Sequence, residues 1–203
     1  ESAYGSRIHE DREKRKDILK SVIKDTIARK GVLMMPSFAI ERTQELLFEL
    51  NELIINKEIP PVDTYMDRPL AQKITEVYEK YGSYLNEEAR QILKSGKKIF
   101  YFSGLKLTKT IDESKSINDT PSPKIIIAGS GMSIGGRILH HEQRYLSDPN
   151  SAILFIGYQV DGSLGRKILE GQPEVKIFGE KIPVRCHIKA IGGYSAHADQ
   201  AQL

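Results

Sequence analysis

The chain has 203 residues, 39% hydrophobic and 28% charged, with 30 Lys+Arg against 27 Asp+Glu for a formal net charge of +3. This is ordinary globular composition for one large domain or two small ones, and its mildly basic balance permits a polyanionic partner without demanding one. The lone Cys186 cannot close an internal disulfide, and no apolar run approaches the roughly 18 residues that span a bilayer, which sets aside a disulfide-built secreted fold and a transmembrane helix and fits a cytoplasmic protein.

The sequence opens on Glu1-Ser-Ala-Tyr-Gly5 with neither initiator Met nor signal peptide, and it stops at Leu203 inside a motif-like run. It therefore reads as a piece of a longer protein. Residues 10–30 carry Ile18, Leu19, Val22, Ile23 and Ile27 at helical spacing, with Gly31 as the expected C-terminal stop. The continuous apolar run 32–35 predicts a strand buried on both faces, as in a parallel sheet. Ser37 is the expected cap of the next helix, whose core face is Leu46, Leu47, Leu50, Leu53 and Ile54.

Residues 62–66 then predict a strand, 68–82 and 86–95 helices, 98–102 (KIFYF) a strand and 111–119 a short helix. Residues 124–128 (KIIIA) predict a buried strand, 135–146 a helix, 152–157 a strand and 163–169 a helical turn or more. This alternation implies a Rossmann-like α/β fold with a mostly parallel sheet flanked by helices. The period-two pattern over 175–192, around a Gly-Glu-Lys turn, predicts a C-terminal antiparallel β segment in a different sheet.

Three constellations carry chemistry. The run AGSGMSIGGR (128–137) joins a buried strand to a helix, which fits either an anion cradle or a tight turn with packing glycines. It lacks the third glycine spacing of a dinucleotide fingerprint and the Gly-Lys-Ser/Thr of a phosphate-binding P-loop. In GGYSAHAD (192–199), His197 stands on a loop among small residues, where imidazole can shuttle a proton near neutral pH. Arg42 and Arg137 follow strand ends, where open parallel sheets bind ligands, and Ser37 and Phe38 share that position with Arg42. The five histidines show no zinc-ligand spacing, and the adjacent His140 and His141 read as surface or boundary residues.

Five ordered motifs belong together: Glu-Ser-x-Tyr-Gly-x-Arg-x-His at 1–9, Pro36-x-Phe38-Ala39-x-x-Arg42-x-Gln44-Glu45, Ala128-Gly129-Ser130-Gly131-Met132, Gly157-Tyr158-Gln159-x-x-Gly162-x-Leu164-Gly165 and Gly193-x-Ser195-Ala196-His197. In this order the chain resembles the β-CASP subfamily of metallo-β-lactamase-fold nucleases, in its RNA-processing branch, over essentially its whole length. Ala3 departs from the Thr common at that place.

The resemblance implies a β-CASP cassette inserted in a metallo-β-lactamase domain. Residues 1–8 would end a strand and linker of that domain, 9–165 form the cassette, and 166–203 return to the metallo-β-lactamase domain. It implies a zinc-dependent ribonuclease with two zinc ions in the parent protein. The ligands would lie outside this chain, so no metal is expected on the chain alone. By carry-over Glu1 and His197 form the catalytic pair, the histidine helping to protonate the leaving oxygen. Ser37, Phe38, Arg42, Ser130, Gly131, Met132, Gly136, Arg137 and Ser195 would contact RNA. RNA is the implied partner, with no membrane partner and room for a homodimer. The isolated chain is expected to be inactive. The competing readings are a non-catalytic RNA-binding scaffold that has lost its zinc ligands and a nucleotide-binding Rossmann domain.

Overall fold

Helix-forming and strand-forming segments alternate along the chain, and the strands are short because each is a single apolar run closed by Pro, Gly or a charged residue. The structure, a computed structural model, describes residues 3–203, with Arg12 described in its backbone alone. Asp11 caps α1 (Arg12–Ala28) by accepting the Lys14 amide at 2.7 Å. The chain continues through β1 (Val32–Pro36), α2 (Arg42–Ile55), β2 (Asp63–Asp67), α3 (Pro69–Lys80) and α4 (Glu87–Lys94). Next come β3 (Leu105–Leu107), α5 (Ile111–Ser116), β4 (Lys124–Ala128), α6 (Ile138–Tyr145), β5 (Ala152–Phe155) and α7 (Leu164–Leu169). A hairpin of β6 (Glu174–Ile177) and β7 (Glu180–Pro183) precedes β8 (His187–Ala190).

Six strands form one sheet in the order β3-β2-β4-β1-β5-β8, with parallel pairing throughout. The chain leaves β1 in one direction, crossing β4 to reach β2, and leaves β4 in the other, crossing β1 to reach β5. Right-handed crossovers in opposite directions must put α2 and α6 on opposite faces. Accordingly Leu46, Leu47, Leu50 and Leu53 of α2 pack with Leu33, Met35, Ile125 and Ile127. Ile138 of α6 and Leu146 just after it pack with Met34, Ile126 and Ile153 on the other side. Both faces are covered, so β1, β4 and β5 are apolar at nearly every position. Each such large apolar side chain contributes about 1.5–3 kcal/mol on burial.

Four local expectations are corrected. Helix α1 ends with Lys30, not Gly31, in the left-handed region (φ 56°); Gly31 is needed for close approach, since a Cβ there would lie 1.9 Å from the Asn150 carbonyl oxygen. KIFYF is not a strand. Ile99 and Phe100 are buried against α2 in irregular backbone, and the Asn51 side-chain amide donates to the Lys98 and Ile99 carbonyls at 2.8 and 3.2 Å, replacing a strand neighbour. Sheet pairing resumes at β3. The hairpin turns at Phe178-Gly179, both at positive φ, and β6 and β7 form a separate antiparallel sheet, but β8 returns to the main sheet beside β5. Ser37 does not cap α2: its buried hydroxyl lies 3.0 Å from Thr43 Oγ1, and Glu41 occupies the cap position at φ 68°.

Candidate functional site

Because connections leave β1 and β4 in opposite directions, the loops at their carboxyl ends part and open a crevice, the place where open α/β sheets bind ligands. The loop after β1 presents Phe38, Ile40 and Glu41, with Arg42 opening α2. The loop after β4 presents Met132, and the segment after β5 presents Gly157 and Tyr158. These residues and Ser195, Ala196 and His197 line one cavity of about 250 Å³. Five sequence-nominated residues, Phe38, Arg42, Met132, Ser195 and His197, thus meet although they are spread over some 160 positions of chain. Arg42 is nearly buried and is oriented by Glu45 and by Glu41 at 3.0 Å.

The loop bearing His197 is held from several sides. Tyr194 is fully buried, with its hydroxyl on Glu49 of α2. Burial and the Glu49 carboxylate raise its pKa well above the ordinary tyrosine value. Arg15 of α1 donates to Glu49 Oε1 at 2.9 and 2.6 Å and to the Gly193 carbonyl at 2.8 Å, and its guanidinium lies 4.5 Å from the Tyr194 ring centre. Ser195 Oγ accepts the His197 amide at 3.1 Å, and the His9 ring nitrogen Nε2 lies 3.0 Å from the His197 carbonyl. His197 itself is exposed.

The two ends of the described chain meet here. Tyr4 forms a parallel bridge to Asp199, and the Gln200 amide donates to the Arg7 carbonyl at 2.8 Å. Asp199 accepts the His9 amide at 2.9 Å; that bond is the main cause holding its carboxyl below the usual range, with the Gln202 and Ala201 amides adding to it. The carboxylate therefore organises backbone. Glu1 lies outside the described residues.

Other nominated residues sit beside this cavity. Ser130, Gly136 and Arg137 line a neighbouring cavity of about 350 Å³ between the carboxyl ends of β2 and β4. Gly131 faces Phe38, and its carbonyl accepts Gln159 Nε2 at 2.9 Å. Arg137 donates to Asp67 at 2.7 Å and to the Thr108 and Lys109 carbonyls at 3.2 Å each. Burial alone would raise the pKa of Asp67, but hydrogen bonds from His141, Ser114, Thr108 and Arg137 outweigh it and hold the carboxyl well below the usual range. His141 is accordingly buried, not at the surface, because Asp67 at 2.8 Å accepts it; His140 points away and stacks on Phe178. Asp67, Arg68 and Glu49 shape the site and escaped the sequence reading, since no local pattern marks a buried polar partner.

No group of three His, Cys, Asp or Glu side chains able to hold a metal ion occurs among the described residues. The described residues therefore do not by themselves fit a zinc centre. Cys186 is buried, and burial pushes its thiol up to about 12, so at neutral pH it is a protonated thiol and not a thiolate nucleophile. Among the described residues no helix is long and apolar enough to cross a membrane.

A family model described as Beta-Casp domain matches residues 43–168, and one described as Zn-dependent metallo-hydrolase RNA specificity domain matches residues 181–203. Ribonuclease TTHA0252 of Thermus thermophilus is 38% identical over 204 residues, which cover 100% of this chain and 47% of that protein. Transcription termination factor FttA of Methanosarcina mazei is 32% identical over 91% of this chain and 30% of its own length; FttA of Methanococcus maripaludis is 34% identical over 100% and 33%. The chain spans less than half the length of these curated relatives. With a model match over most of its length, the chain belongs to the β-CASP family of metallo-β-lactamase-fold RNA-processing nucleases.

Proposed function

We propose that this chain is the β-CASP part of a zinc-dependent ribonuclease that hydrolyses RNA phosphodiester bonds as endonuclease, 5′-to-3′ exonuclease or both. The supporting observation is the convergence of Phe38, Arg42, Met132, Ser195 and His197 on one cavity at the carboxyl end of the sheet. Similarity to a protein named a ribonuclease agrees with it. In this reading residues 1–8 and 166–203 belong to the metallo-β-lactamase domain and 9–165 to the cassette. The zinc ligands, for two ions, are supplied from outside the described residues, and the 203-residue chain alone has no metal-dependent RNA cleavage. RNA is the partner and the cytoplasm the compartment; a homodimer is compatible with it.

Glu1 and His197 are assigned as the catalytic pair. Glu1 is three residues from Tyr4 and His197 two from Asp199, and those two residues bridge. A carboxylate bonded to an imidazole favours the protonated ring, and an exposed imidazole at the cavity can give that proton to a departing 3′-oxygen. Phe38 offers a ring face for a base and Arg42 an oriented guanidinium for a phosphate. Ser195, Ser130, Gly131, Met132, Gly136, Arg137 and the Ser37 backbone shape the flanking loops.

The test is cleavage of a labelled RNA by the full-length protein. His197→Ala is expected to lower turnover by about 10²–10⁴-fold while RNA affinity changes only a few-fold. Unchanged turnover in that variant overturns the assignment. RNA binding by the zinc-loaded wild type with no cleavage would leave the non-catalytic homologue in its place.

A further inference from the structure

A charged side chain that loses water needs a counter-charge. Asp67 has Arg137 and His141, Glu49 has Arg15, and Arg42 has Glu41 and Glu45. Arg68, immediately after β2, is half-buried and has none among the described residues. Its hydrogen bond goes to the Ser37 carbonyl, at 2.9 Å, leaving most of the guanidinium's donors over. Loss of water lowers its pKa, and among the described residues no carboxylate pairs with it: neighbouring Asp67 is engaged by Arg137 and His141.

The position of this charge is specific. From the end of β2 the side chain reaches past the end of β4 to the end of β1, across the crevice where the connections diverge. Its Nη1 lies 1.8 Å from where a Cβ on residue 129 would stand, so the berth exists because that residue is glycine. A cavity of about 350 Å³ opens beside it, walled by Ser130, Gly136 and Arg137. Arg68 also occupies the cap position of α3, where no side chain satisfies the first-turn amides.

We propose that Arg68 is the anchor of a phosphate subsite at the junction of β1, β2 and β4, distinct from the His197 cavity. The guanidinium's remaining donors form a fork suited to two oxygens of one phosphate. The group is either an RNA backbone phosphodiester, in which case the subsite rests on the ribonuclease reading, or a free phosphomonoester, in which case it does not.

The test uses the full-length protein in EDTA, so that no turnover enters, with three probes: inorganic phosphate, uridine 5′-monophosphate, and a short RNA bearing a 5′-hydroxyl. For a phosphodiester, Arg68→Gln weakens binding of the RNA by about 5- to 20-fold and makes the log–log salt slope shallower by about 0.7. For a phosphomonoester, phosphate and the nucleotide raise the melting temperature of the wild type but not of Arg68→Gln, and RNA affinity is unchanged. If all three probes respond alike in wild type and folded Arg68→Gln, the proposal is overturned. Should Arg68→Gln fail to fold, Arg68→Lys carries the comparison: it keeps the charge and loses the fork, and undiminished affinity for every probe overturns the subsite. Because no cleavage is measured, failure here is distinct from failure of the ribonuclease reading.

Discussion

Glu142 is fully buried, with the Ser133 hydroxyl on one carboxyl oxygen and no partner among the described residues for the other. Burial pushes its pKa up to about 8, against the opposing hydrogen bond from Ser133. It is thus mainly protonated at neutral pH, and it pins Ser133, which holds φ 54° within the glycine-rich loop. A folded-state pKa above the unfolded one means that stability is greatest below the unfolded value and is lost as pH rises toward the folded value. Between pH 4.5 and 8 the wild type should therefore lose on the order of 4 kcal/mol through this group. Glu142→Gln, which imitates the neutral acid, should remove that slope and be the more stable protein at pH 8. Urea unfolding of both proteins across the window checks this, and parallel curves would refute the assignment.

Among the elements, the runs at 32–35, 124–128 and 152–157 were legible because a strand covered on both faces must be apolar throughout. The misread KIFYF segment shows what pattern alone misses. Ile99 and Phe100 reach the core as any strand residue would, but their backbone is satisfied by the Asn51 side chain, a polar residue on the buried face of α2. Asn51→Leu should leave two carbonyls unpaired and cost on the order of 2 kcal/mol in urea unfolding, with little change in the denaturant slope. A loss below a few tenths would show that water replaces the amide. The candidate site divides in the same way. Phe38, Arg42, Met132, Ser195 and His197 are legible from ordered motifs. The Arg15–Glu49–Tyr194 brace, the Asp67–Arg137–His141 network and Arg68, which has no acidic partner among the described residues, are not, because each depends on residues far away in sequence.

Across the whole molecule, 30 basic against 27 acidic side chains make only a weak general field. On the ribonuclease reading proposed above, the affinity of this 203-residue chain for RNA should then come from a few local phosphate contacts, and log K against log salt should fall with a slope of about −2 to −3 rather than steeply. Fluorescence anisotropy over a salt series checks this; a slope beyond about −6 would instead indicate a broad electrostatic surface. The same scale frames the meeting of the chain's end segments, where Tyr4 bridges Asp199, Gln200 binds Arg7 and the Gly193 amide reaches Glu10 at 2.8 Å. Tension applied to the two ends would load this short seam first, parting residues 4–10 from 191–200. The parallel sheet would bear no force until the seam had opened, so the margin that carries His197 is the part that yields and the sheet the part that is shielded.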